Sequence, residues 1–280
     1  QNFPPEVVGG AIRNGNIADC LKEEISVNVI CNHPTYPFGE FSKTPHLRKI
    51  EDNNQIKIHR LWTYQPNNCD PSVIERMLYY SLFSIHSLLY LLPKLNEKDI
   101  LIVSLPPDTN IISGLVLRTL TECKLIFDVR DLWLEAAEDL GFITRKGVIS
   151  RSFRYMQRIG FKIANKILHV NDDIKDRIIK YYDINSNRFL LHPNGVDTSI
   201  FNKRTKTRKN KLVFVGNISY SHSIDEFINL IYCLEKEEIS IDIDIIGKGE
   251  LLANLKEISS HTRYVEVNFL GLMNQKEISY

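Results

Sequence analysis

Short runs rich in Val, Ile, Leu and Phe recur along the whole chain, and most are followed by a stretch of helical period. The runs are ISVNVIC (25–31), IKIHRLW (56–62), DILIVSL (99–105), KLIFDV (124–129), KILHV (166–170), KLVFVG (211–216), IDIDIIG (241–247) and VEVNFLG (265–271). Helical periodicity occupies 9–24, 72–92, 110–122, 147–165, 172–182, 222–237 and 250–260. Near-continuous apolar strands alternating with helices are what a parallel sheet covered on both faces requires. Right-handed crossovers between such strands predict Rossmann-like, doubly wound α/β units. The alternation breaks at 193–210, where PNGVDTSIF leads into a run with six Lys/Arg between 203 and 211. The expected organisation is therefore an N-terminal unit over 1–192, a linker over 193–210 and a second unit over 211–280.

Composition removes several function classes. With 43% hydrophobic and 25% charged residues, wholesale disorder is excluded. The balance of 35 Lys+Arg against 34 Asp+Glu gives no global reason to bind nucleic acid, and the basic run at 203–211 lacks the aromatics that stack on single strands. Its default reading is a solvated linker. The five cysteines (Cys20, Cys31, Cys69, Cys123, Cys233) form no CxxC pair, and the histidines form no HxH or HExxH spacing. A metal site is not expected, and scattered reduced thiols suit a cytoplasmic compartment. The opening NFPPEVVGG reads as a loop without a signal-peptide pattern, and the longest apolar run, near 88–92, is far short of the ~18 residues that span a bilayer. A soluble or peripheral protein is the expectation.

Four places offer chemistry. Gly9 and Gly10 open the first helix, where backbone N–H groups and the helix dipole favour a phosphate; a plain tight turn is the alternative. Asp128, Arg130, Asp131 and Trp133 follow the strand at 124–129, where open α/β sheets collect catalytic groups; an Asp–Arg pair that only pins the loop is the alternative. Gly216-Asn217 and Gly247-Lys248-Gly249-Glu250 end two strands of the second unit. Lastly, Arg151, Arg154, Arg158, Lys162 and Lys166 fall within a sector of about 120° on one helix, a face suited to anionic lipid or to plain solvation. The stripe from Arg76 to Leu92, rich in Leu and Tyr, reads first as a packed core helix and second as a membrane contact.

In order along the chain, FPPEVVGGAIR (3–13), HPTYPFGEF (33–41), ERMLYYSLFS (75–84), VSLPP (103–107), DVRDLW (128–133), PNGVDTSIF (193–201), LVFVGNIS (212–219), IIGKGE (245–250) and VNFLGLMNQKEI (267–278) resemble a family 4 glycosyltransferase of the two-lobed GT-B fold. The likeness is to the branch of fucosamine-type transferases that builds bacterial O-antigen, capsule or exopolysaccharide. It implies a retaining transfer of a sugar from a nucleotide-diphosphate sugar, UDP-linked by expectation, to a lipid-linked glycan at the inner face of the cell membrane. No cofactor or metal is implied, and nucleic acid is not a partner. The resemblance assigns Gly9, Gly10 and Arg13 to the loop and helix at the donor diphosphate. Arg130 and Asp131 stand where relatives carry a histidine, so Asp131 is expected to face the acceptor hydroxyl. Gly216 and Asn217 match the turn under the diphosphate, and Gly247, Lys248, Gly249 and Glu250 the turn near the nucleoside. The Arg and Lys that many relatives place after the first strand of the second lobe are absent from NISYSHSID, leaving Asn217, Ser219, His222 or Arg130 to meet the leaving diphosphate. The family's first strand and its E-x7-E segment fall outside the 280 residues, which implies an incomplete second lobe and a piece of a larger enzyme. Arg151, Arg154, Arg158 and Lys162 are the expected membrane- or acceptor-facing cations. An epimerase of the same fold and a non-catalytic binding subunit are the competing readings.

Overall fold

A computed structural model describes residues 1–196, 198, 201, 210–218, 224–249 and 251–278, with the backbone alone for 275 and 276. It divides into two units, Gln1–Gly195 and Val196–Tyr280. Most of the expected linker (197, 199–200 and 202–209) lies outside the described residues.

The first unit runs α1 (Gly9–Leu21), β1 (Val27–Asn32), β2 (Arg48–Asn53), β3 (Ile56–Leu61), α2 (Val73–Leu91), β4 (Ile100–Leu105), α3 (Thr109–Thr121) and β5 (Lys124–Val129). It continues with α4 (Trp133–Asp139), α5 (Val148–Ile163), β6 (Lys166–His169), α6 (Asp172–Tyr182) and β7 (Phe189–Leu191). β4-β5-β6-β7 form a wholly parallel sheet. Its core is Leu125, Phe127 and Ile167 from the strands, packed by Ile111, Phe161, Ile178 and Tyr182 from helices. Aliphatic runs buried on both faces account for the strands, and a 3.6-residue period accounts for the covering helices. α2 opens on a reciprocal cap, Ser72 with Glu75, and α6 on the Asn171 side chain.

β1 and β3 pair in parallel, and β2 adds an antiparallel edge to β3. This edge strand, RKIEDN, is absent from the expected strands because it is almost wholly polar and exposed. Its hairpin turns at Asn54-Gln55, both with positive φ (48° and 67°), as a two-residue turn between twisted strands requires. β7 was too short, and α4 too short and polar, to carry a periodic signal. Among the described residues β1 pairs only with β3 and β4 only with β5. A groove of about 600 Å³ lies between the edges of β1 and β4, lined by both strands and by α1, α2 and α3.

The second unit contains β8 (Lys211–Val215), α7 (Ile224–Lys236), β9 (Ile241–Ile246), α8 (Leu252–Ser259), β10 (Val265–Gly271) and a short α9 (Gln275–Ile278). Its strands are parallel, in the order β10-β9-β8, around a core that includes Ile231, Ile243, Ile245 and Leu255. No helix among the described residues is long and apolar enough to cross a membrane.

Gly160 lets α5 approach α3 and the sheet. A Cβ there would stand 2.6 Å from Ile111 Cγ2 and 3.6 Å from Phe127. Gly160→Ala should therefore cost about 1–3 kcal/mol, read as a lower urea midpoint at unchanged slope.

Candidate functional site

The site begins with an acid that the sequence places inside an apolar strand. Asp128 is the penultimate residue of β5 and is fully buried. A buried carboxylate needs a cation and hydrogen bonds. Arg13 of α1 supplies both: its Nη2 lies 2.7 Å from Asp128 Oδ1 and its Nε 3.0 Å from Oδ2. The remaining donors of Arg13 hold the segment after β7. Nη1 donates to Pro193 O (3.1 Å) and Asn194 Oδ1 (3.0 Å), while Nη2 reaches His192 O (2.7 Å) and lies 2.6 Å from His192 Nδ1. Every N–H of this guanidinium is thus directed at protein. This differs from the expectation that Arg13 serves the donor: it knots α1, β5 and the start of PNGVD.

Arg130 is the second cation of the cluster and is disposed differently. Its backbone N–H donates to Leu105 O (3.0 Å), its Nη2 to Pro106 O (3.0 Å) and its Nε to Leu105 O (3.3 Å). Nη1 makes no hydrogen bond with a described residue and lies against Gly10, where a Cβ would stand 2.0 Å from it. The second glycine of the pair is therefore the seat of a guanidinium. Around Gly9 nothing lies within 4 Å of a built Cβ. The first turn of α1 has neither a capping side chain nor an acid. Its orphan N–H groups, the positive end of the helix and Nη1 of Arg130 are thus gathered in one place, with no side chain of the described residues capping the helix. Burial draws the Arg130 pKa below its usual value, against the opposing pull of Asp128 and Asp131. Asp131, the next residue, is exposed.

Behind this loop lies a polar network that sequence reasoning missed. Glu135 on α4 is buried and accepts from Tyr182 Oη (2.8 Å) and Arg154 Nη1 (3.3 Å). Glu138 accepts from Arg154, Arg145 and Ser150. Burial alone would raise the Glu138 pKa, but these hydrogen bonds outweigh it and hold the carboxyl below its usual value. Half-buried Asp108 faces the same network, and its pKa is pushed up to about 7 by burial first and then by Glu135. Arg154 is consequently an internal ion-pair partner, stacked 5.1 Å from the Tyr181 ring, and is not one of the outward cations expected on α5. Arg151, Arg158 and Lys162 are exposed. The acids on α4, seven to ten residues after Asp128, were the available signal.

In the second unit, the turns after β8 and β9 are laced together. Gly216 N donates to Ile246 O, Ile218 N to Lys248 O and Leu251 N to Ile218 O, all at 3.0 Å. Gly247 has φ +150°, and a Cβ on it would stand 1.9 Å from Gly216 O; on Gly249 it would stand 2.1 Å from Ile218 O. These glycines exist for backbone contact between the two turns. Asn217 and Lys248 are exposed beside them. His222, Glu250 and Ser219 lie outside the described residues. No group of three metal-ligating side chains occurs among the described residues.

No family model and no curated protein sequence matches the chain. Solved structures do. The catalytic domain of starch synthase IV from Arabidopsis thaliana, bound to ADP and acarbose, superposes with a TM-score of 0.66 at 10% identity, over 99% of this chain and 74% of its own. S. aureus TarM gives 0.50 at 14% identity, over 83% of this chain and 43% of TarM. Anabaena HepE in complex with UDP-glucose gives 0.50 at 11% identity, over 78% and 56%. The chain therefore spans under two thirds of TarM and HepE. The likeness establishes the fold: Rossmann-like α/β, as in the GT-B glycosyltransferases.

Two stability measurements check this geometry. Arg13→Met leaves Asp128 buried without a partner and should cost about 3–5 kcal/mol in urea unfolding, most of it recovered by adding Asp128→Leu. Between about pH 4 and 7 the folded chain keeps a proton on Asp108 that the unfolded chain has lost, so this group lowers stability as pH rises through that window. Asp108→Asn should raise the thermal midpoint at pH 8 and leave it unchanged near about pH 4.

Proposed function

We propose that this chain is part of a retaining glycosyltransferase. It transfers a sugar from a nucleotide-diphosphate sugar, UDP-linked, to a lipid-linked glycan acceptor in bacterial surface polysaccharide synthesis. The observation that carries the reading is the anion seat at the start of α1: an uncapped helix N-terminus with Gly9 open, and Nη1 of Arg130 held against Gly10. A diphosphate matches it in charge and in its number of acceptor oxygens. The ADP bound to the starch synthase and the UDP-glucose bound to HepE support the same choice of ligand.

In this reading the first-turn N–H groups of α1 and Arg130 offset the charge of the leaving diphosphate, so the reaction needs no metal ion or cofactor. Arg13 is a positioning residue, fixing α1 against β5. Asp131, exposed beside Arg130, faces the acceptor hydroxyl. From the second unit, the Gly216-Asn217 and Gly247-Lys248 turns, with His222 and Glu250, serve the donor. The acceptor's lipid places the enzyme peripherally on the cytoplasmic face of the membrane. The resemblance in nine ordered motifs, and not the fold alone, supports family 4, the hexosyl-type transfer and the polysaccharide role.

The test is calorimetric titration with UDP. Arg130→Met should weaken binding about tenfold to a hundredfold, the worth of one charge-assisted contact, with the circular dichroism unchanged. Equal affinity in the two proteins rules out the seat. Product analysis with UDP-sugar tests the chemistry: a new α- or β-linkage matching the donor anomer supports retention, and an acceptor-independent epimer points to an epimerase.

A further inference from the structure

Two stretches to which the resemblance gives no role, 33–41 and 75–84, meet Trp133 in one row of rings. Ring centroids lie 5.2 Å apart from Tyr36 to Phe38, 5.2 Å from Phe38 to Tyr79, 5.1 Å from Tyr79 to Tyr80 and 5.5 Å from Tyr80 to Trp133. Every step is edge-to-face, an arrangement that ring quadrupoles favour. The inner members are closed in. Phe38 and Tyr79 are buried, Tyr79 Oη donates to Asn2 Oδ1 (3.1 Å), and Tyr79 O accepts from Thr63 Oγ1 (2.6 Å). The outer members are open. Trp133 is 42% exposed, and Tyr36 and Tyr80 are half-buried. Trp133 Nε1 and the Tyr36 and Tyr80 hydroxyls make no hydrogen bond with a described residue, and neither hydroxyl is sealed from solvent. The row thus ends at the surface in rings with polar tips, set on a rigid base.

That end lies at the candidate site. β5 leads into Arg130 and Asp131, and Trp133 opens α4. Asp131 and Trp133 are exposed while Leu132 between them turns into the core, so carboxyl and indole leave the loop on its solvent side, with Cα atoms at most about 7 Å apart. Asp131 is in no ion pair with a described residue. Tyr80 is tied to the same edge of the sheet: its carbonyl accepts from Thr109 Oγ1 (3.5 Å) at the start of α3, just after the Pro106-Pro107 turn whose carbonyl holds Arg130. Fixed rings with wet polar tips and a neighbouring carboxylate suit a ligand that has apolar faces and a rim of hydroxyls. A pyranose has that form: its C–H faces lie on rings, and its hydroxyls bond to polar groups. The acid accepts hydroxyl protons and repels phosphate, which separates this place from the diphosphate seat at Gly10. We propose that Trp133 and Tyr80, with Tyr36 beyond them, form a stacking subsite for a pyranose ring of the acceptor glycan. The ring lies against the Trp133 indole, and its hydroxyls reach Asp131 and Tyr80 Oη. The inference rests on the glycan acceptor of the proposed function and names the residues that read its sugar.

The test is saturation-transfer NMR with the methyl pyranosides of glucose, galactose and N-acetylglucosamine, against glucitol, which keeps the hydroxyls and lacks the ring. At least one pyranoside should receive saturation at its ring C–H protons, and glucitol should not. Trp133→Ala should weaken that binding about threefold to tenfold, the worth of one aromatic contact, and Trp133→Phe should weaken it less. Trp62→Phe leaves Trp133 as the single indole, and the bound pyranoside should then shift its emission saturably. Circular dichroism accompanies each variant. Saturation of no pyranoside, equal saturation of glucitol, or wild-type binding by folded Trp133→Ala overturns the subsite. A matching loss of UDP affinity in Trp133→Ala also overturns it, because the indole then serves the base. UDP titration of the unaltered chain keeps the two readings apart. UDP binding without pyranoside binding overturns the subsite alone; pyranoside binding without UDP binding overturns the nucleotide-sugar reading alone.

Discussion

The buried pair between Arg13 and Asp128 organises the first unit around one guanidinium. Taking both charges out of water costs several kcal/mol per ion, which only near-complete hydrogen bonding offsets. Arg13 meets that demand by tying its own helix to two stretches far away in sequence, the end of β5 and the carbonyls at 192–193. Once α1 is fixed against β5, its first turn is fixed relative to Arg130. The geometry of the anion seat is thus inherited from a contact that touches no ligand. The division of labour between the two arginines follows from their surroundings. One has all its donors committed to protein, and the other keeps Nη1 uncommitted against a glycine.

Glycine acts in both units as a means of bringing chain close to something else. Gly10 admits a cation, and Gly247 and Gly249 admit the carbonyls of a neighbouring turn. In each case the missing Cβ is filled from within the protein. A glycine-rich turn at the carboxyl edge of a sheet therefore need not expose backbone to a phosphate directly. It can build the loop that places other groups there.

Much of the fold was legible because period-2 and period-3.6 patterns are dictated by burial, and burial in a covered parallel sheet is nearly complete. β5 and the helix at 172–182 were readable to the residue for that reason. β2 was not, since an exposed edge strand has no buried face to constrain its residue types. The site was less legible. The end of a strand singled out Arg130, and Arg13 entered only through the family resemblance, yet assigning their roles required knowing which groups each one meets. Arg154 carried the opposite lesson. Helical spacing put it on a basic face, but α4 brings Glu135 and Glu138 against it, and no periodicity in α5 encodes acids on another helix.

The groove between β1 and β4 has a consequence for backbone pairing in the first unit. Two strand edges face one another across it, each with a row of backbone donors and acceptors that no described strand uses. An extended segment entering there completes two ladders at once and covers the half-exposed Ile100 and Ile102. Edge pairing of that kind is a general route by which folded chains add strands or associate. The pairing demand of two edges in the first unit is therefore met by one segment and not by two.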